Sequence, residues 1–171
     1  MKNLMKGSVL VLLLSLVLAA CSGSEEQEEI ISYHNDLTEF NDEVLNEIEE
    51  VLQQTETAAT VEESYEIQKE LPDLVGKMLT NLESKDPESE SVKEYHDLRK
   101  KQITAWHEAM KLEVDILGQL ANGEMTEEEA NEASKEIDKL MVEFDELTQE
   151  VENKIVEFEE EYDIEFEEEE I

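Results

Sequence analysis

The feature that most constrains this chain is the spacing of its apolar residues. They recur at three and four positions through most of the sequence beyond residue 32. The most regular run is Ala130, Ala133, Ile137, Leu140, Phe144, Leu147, Val151, Ile155, Phe158 and Tyr162. A helical turn takes about 3.6 residues, so this spacing puts the apolar side chains on one face of a helix, where another helix must cover them. Gly (5) and Pro (2) are scarce among 171 residues. That scarcity argues against a turn-rich β sandwich and against a Gly-rich phosphate loop.

Four helical stretches follow from the period. The first carries Tyr33, Leu37, Phe40, Val44, Ile48 and Val51 and ends near Thr57. Thr60-Val61-Glu62-Glu63 has the capping-box pattern, and Tyr65, Ile67, Leu71, Leu74, Val75, Met78 and Leu82 continue a second stretch. Pro72 lies inside it and has no backbone N–H to donate, so a kink or break is expected near Leu71. Asp86-Pro87 resembles an N-cap followed by proline at the first helical position. The third stretch runs from Val92 through Tyr95, Leu98, Gln102, Trp106 and Met110 to Leu120, and Asn122-Gly123 is a natural stop. Thr126-Glu127-Glu128-Glu129 caps the fourth. Short connections between long helices favour antiparallel neighbours. The expected fold is therefore all-α: an elongated antiparallel, coiled-coil-like bundle of three to four long helices, over residues 33–160.

The N-terminus reads as an address. Lys2 and Lys6 precede an apolar run from Val9 to Leu18, which is followed by Leu18-Ala19-Ala20-Cys21. A positive start, a short apolar stretch and small residues before a cut site describe a secretory signal over residues 1–20. The apolar run is shorter than the roughly 20 residues of a membrane-spanning helix. Leu-Ala-Ala-Cys resembles the bacterial lipobox. The resemblance implies cleavage between Ala20 and Cys21, a diacylglyceryl group on the Cys21 thiol, palmitate-type acylation, and anchoring at the extracytoplasmic face of the cell membrane. Cys21 is the sole cysteine, which leaves no internal disulfide or Cys-rich zinc site.

Charge sets the rest of the organisation. Asp and Glu total 48 against 13 Lys and Arg, for a net charge of −35, and removal of Lys2 and Lys6 with the signal makes the mature chain more acidic still. Such a surface repels nucleic-acid phosphate, so no nucleic-acid partner is expected. Ser22-Gly23-Ser24-Glu25-Glu26-Gln27-Glu28-Glu29 is small and acidic, and residues 21–32 read as a flexible tether. Residues 161–171 read as an acidic tail, where Glu161, Glu165 and Glu169, following Glu157, would repel one another at i,i+4 in a continuing helix.

The segment from Asp86 to Tyr162 also resembles the C-terminal half of small helical lipoproteins secreted by Gram-positive bacteria. Glu90-Ser91-Val92-Lys93-Glu94-Tyr95-His96 and Leu117-Gly118-Gln119-Leu120-Ala121-Asn122-Gly123 carry the likeness, together with the glutamate-rich final helix. Some of those proteins are described as cell-wall-binding, which implies a location and an envelope or wall partner and brings no catalytic residue with it.

The chemical candidates are few. His96 and His107 share a helix face, but eleven positions separate them by about 16 Å along the axis, too far to ligate one ion. His107-Glu108-Ala109-Met110-Lys111 begins like the HExxH zinc helix and then has Lys111 in place of the second histidine. His34 could approach either across a bundle. No Glu-x-x-His pair, nucleophile elbow or calcium-loop pattern is present. Trp106 falls on an apolar face and reads as core. Arg99-Lys100-Lys101 is expected to pair locally, with Asp97 and Lys101 at i,i+4, or to meet an anionic partner such as a wall polymer. The expectation is a non-enzymatic interaction or envelope-associated module without a metal or cofactor. The alternative is a ligand-binding lipoprotein whose acidic surface collects divalent cations, cationic peptides or polyamines.

Overall fold

A computed structural model describes residues 4–166, with side chains described from Glu25 onward. Five helices follow in order: α1 (Leu4–Thr55), α2 (Val61–Gln68), α3 (Leu71–Glu83), α4 (Glu90–Ala121) and α5 (Glu127–Tyr162). There is no strand among the described residues. α2 and α3 are two pieces of one bent rod, so the architecture is a four-rod helical bundle.

The break in that rod sits where proline demands it. Glu70 is the N-cap residue of α3 and Pro72 lies in its first turn, where a missing N–H leaves no intrahelical bond unmade. Thr60 caps α2 by accepting from the Glu63 N–H, and Thr126 and Glu129 form a complete capping box on α5. Gly123, with φ of 72°, takes the left-handed position that lets the chain reverse between α4 and α5.

Cross-helix contacts fix the directions. Lys77 of α3 and Lys85 just beyond its end meet Glu47 and Asp36 of α1 at 2.6 and 3.3 Å, so the two run antiparallel. α5 runs antiparallel to α4, with Gln102 donating to Thr148 at 2.8 Å and the Tyr95 and Phe158 rings 5.7 Å apart. α4 packs against all the other helices and is the central rod. Val75, Val92 and Ala109 are wholly buried, with Leu37, Leu82 and Phe158 almost so. One pole of the bundle gathers the turns of α1 from Glu26 to His34, the α3–α4 connection and the end of α5. The other holds the α1–α2 and α4–α5 turns.

Three boundaries differ from the sequence reading. Residues 21–32, read as a tether, lie within α1, and from Glu26 onward they pack. Ile30 is only 2% exposed, and the Gln27 amide donates to the Tyr162 carbonyl at 3.1 Å. Ile30 lies three positions before Tyr33 and extends the same apolar stripe backwards, so burial holds in the helix what local composition alone would leave loose. Helix α4 begins after Ser89, whose hydroxyl accepts from the Val92 N–H, and not at Asp86. The chain also continues past Tyr162 in ordered contact. Asp163 takes a left-handed φ of 52°, and Ile164 behind it is buried. Residues 167–171, the remainder of the acidic tail, lie outside the described residues.

Candidate functional site

The densest polar and aromatic constellation lies at the pole where α1, α4 and α5 converge. Helical spacing puts Tyr33 and His34 on the buried side of α1, and Tyr95 and His96 on the facing side of α4. Each tyrosine pairs with the histidine of the other helix. The Tyr33 hydroxyl and His96 Nδ1 are 2.6 Å apart, and the Tyr95 hydroxyl and His34 Nδ1 are 3.1 Å apart. The Tyr33 and Tyr95 rings meet edge to face at 6.0 Å, a favoured arrangement for aromatic quadrupoles. Phe158 closes one side of the box, and Phe166, beyond the end of α5, lies 4.2 Å from the His34 ring. Burial, with the neighbouring Tyr95 adding to it, pushes the Tyr33 phenol far above its ordinary range, so this hydroxyl stays protonated.

A second feature is the clamp at the start of α4. The Glu29 carboxylate of α1 accepts from the backbone N–H of Glu88 at 2.6 Å and of Ser89 at 3.0 Å. These amides lead into the positive end of the α4 dipole. Partial burial works against the Glu29 charge, but the backbone bonds outweigh it and hold the carboxyl below its usual range. The neighbouring Glu26 accepts from the Ser91 hydroxyl at 2.7 Å.

Lys154 of α5 is the one buried lysine or arginine among the described residues. Its ammonium donates to Glu94 at 3.0 Å and Glu157 at 3.1 Å and lies 5.3 Å from the centre of the Phe158 ring. Burial alone would lower its pKa, but the two carboxylates more than reverse that, and the group is held above the ordinary lysine value.

Outside the box, the same pole holds an open groove of about 670 Å³, bordered by Glu25, Glu29, Asp36, Asp86 and Glu88 with Lys85 among them. Lys85 pairs with Asp36 and lies 5.9 Å from the centre of the Tyr33 ring.

The sequence candidates separate as follows. The Ala20–Cys21 site falls on the backbone of α1, five residues before the packed Glu26, and its side chains lie outside those described. His34 and His96 come together, yet each meets a tyrosine hydroxyl. His107 lies along α4, beside Gly76 of α3. Among the described residues no three His, Cys, Asp or Glu side chains are placed to hold a metal ion. Trp106 packs on the core, 5.9 Å from the Phe144 ring. In the basic cluster, Lys100 reaches Glu83 of α3 at 3.1 Å and Arg99 donates to Gln102 at 3.2 Å, so its partners lie across helices as well as along one. Glu113, whose carboxyl burial pushes up, is remote from the pole, with Gln68, Ser134 and Asp138 beside it.

Sequence reasoning missed Glu29 and Lys154. Each sits in an acidic stretch where nothing local sets it apart, and its role comes from another helix. Comparison with known proteins found no match among protein families, curated proteins or solved structures.

Proposed function

We propose that this chain is a lipid-anchored, extracytoplasmic lipoprotein of the cell membrane, a non-enzymatic helical module that engages an envelope protein or wall partner. The observation that carries the reading is Leu18-Ala19-Ala20-Cys21 directly after a short apolar run with a lysine-bearing start. The resemblance of the segment from Asp86 to Tyr162 to Gram-positive helical lipoproteins supports the same placement. No helix among the described residues is long and apolar enough to cross a membrane, and in this reading the acyl group at Cys21 is the attachment. Expression of Cys21→Ala in a bacterial host tests this. The variant is expected to leave the membrane fraction or to accumulate with its signal uncut. Normal maturation and membrane retention of that variant would sink the anchoring claim.

The acidic groove at the Glu29 pole favours a second reading, a module that collects divalent or organic cations. A cation held by the folded state raises the melting temperature by mass action. Melting in millimolar calcium or magnesium, against sodium chloride of equal ionic strength, separates the two readings. Only a rise beyond the sodium control supports bound cations, because screening alone gives the same rise in both.

A further inference from the structure

The absence of a loose tether has a consequence for how an anchored bundle would stand. Resting on the reading of Cys21 as the lipid-bearing residue, we infer that the bundle stands end-on. Its Glu29 pole lies against the lipid surface and the Ala121–Thr126 turn points away from it.

Three observations lead there. The first is reach. Four residues, Ser22 to Glu25, lie between Cys21 and Glu26, which is already bonded to Ser91 of α4. Fully extended, the five steps from Cys21 to Glu26 span at most about 18 Å, and as helix about 8 Å. The 36-residue α5 spans about 54 Å, so the anchor cannot carry the far pole to the surface without laying the whole rod on its side.

The second is direction. In the chain that begins at Cys21 the backbone of α1 is helical without interruption from there to Thr55, so the chain enters the bundle at Glu26 along its long axis. Gln27 and Glu29 fasten that entry to both α5 and α4, through the Tyr162 carbonyl and the Ser89 amide. A rod held at two points by its first packed turns cannot swivel about them as a flexible linker would.

The third is charge. The Glu29 pole is itself acidic, but most of the 48 acidic residues fall outside the segments that form it, and an anionic leaflet repels each carboxylate within a Debye length of it. Standing on one pole keeps most of them beyond that distance, whereas lying flat brings a whole flank within it.

The test uses the full mature lipoprotein in vesicles of phosphatidylglycerol and phosphatidylcholine. With the Cys21 thiol occupied by lipid, a fluorophore goes only to an introduced cysteine: Glu28→Cys at the near pole, Glu124→Cys at the far turn. A nitroxide on the lipid headgroup is expected to quench the Glu28→Cys label severalfold more than the Glu124→Cys label. A Gly-Ser insert of about ten residues after Ser24 is expected to remove most of that difference. Equal quenching at the two sites, or little at either, in protein whose mass shows the acyl group would overturn the orientation and leave the anchor standing. Protein without the acyl mass would remove the anchor and the orientation with it.

Discussion

At the scale of single residues, Glu29 shows how one carboxylate on one helix starts another. Ser89 and Asp86-Pro87 are both competent helix beginnings by local chemistry. The Glu29 oxygens take the Glu88 and Ser89 amides and so select the later one. Glu29→Gln keeps the shape but removes the charge facing those amides. We expect it to lower stability at neutral pH by about 1 kcal/mol, the scale of a helix cap. The sign with pH follows from the direction of the shift. The folded-state pKa of Glu29 is depressed, so its contribution is full above the ordinary carboxylate value and is lost as pH falls through the depressed one. Melting temperatures of the two proteins should therefore differ at pH 7 and converge in the acid range. A gap that persists or widens on acidification would contradict this account of the clamp.

At the scale of elements, two glycines on neighbouring helices make opposite predictions. A Cβ at Gly76 of α3 would meet only His107 Nε2, at 3.5 Å, an ordinary contact. Gly76→Ala should therefore gain the helix-propensity difference, about 0.5–1 kcal/mol. A Cβ at Gly118 of α4 would sit 2.8 Å from Tyr65 Cε2, with two more atoms of that ring at 3.3 and 3.4 Å. That glycine is what allows α2 to lie against α4, and Gly118→Ala should forfeit the gain as the ring is displaced. Thermal melts of the two variants side by side check the contrast, and equal stabilisation of both would refute it.

The same scale shows what could be read from sequence. The helix faces, the break at Pro72, the turn at Gly123 and the box at Thr126 were legible because each is local, set by residues within a turn or two of one another. Helix pairing at the pole was not. Glu26 and Glu29 look like more of an acidic run until Ser91 and Ser89 face them, and nothing near Tyr33 or His34 announces Tyr95 and His96, about sixty positions on. Of the candidate site, the Cys21 motif was visible as a motif, whereas the aromatic box exists only once α1 and α4 have met.

For the molecule as a whole, charge repulsion opposes folding on top of the entropy of the chain. Most of the ion pairs among the described residues, such as Lys69–Glu66, Lys135–Glu132 and Lys77–Glu47, are exposed on both sides, and pairs of that kind contribute little. With so large an excess of carboxylates, self-repulsion outweighs them. Sodium chloride raised from about 0.01 to 0.15 M, which shortens the screening length from about 30 to 8 Å, should therefore raise the melting temperature. A fall would mean that the ion pairs matter more than the repulsion.

The contact between Phe166 and His34, with the Gln27–Tyr162 bond spanning 135 positions beside it, also orders events in time. A chain made from its N-terminus forward exposes Tyr33, His34 and Ile30 long before their covering residues exist. Pairings this distant in sequence form slowly, since loop closure must precede them. The bundle therefore has a late final step: α1, α3 and α4 can associate on a growing chain, but the pole closes only when the last turns of α5 are free. Until then the nascent protein stays open at that end, with Tyr33 and His34 uncovered by α5 and the residues beyond it.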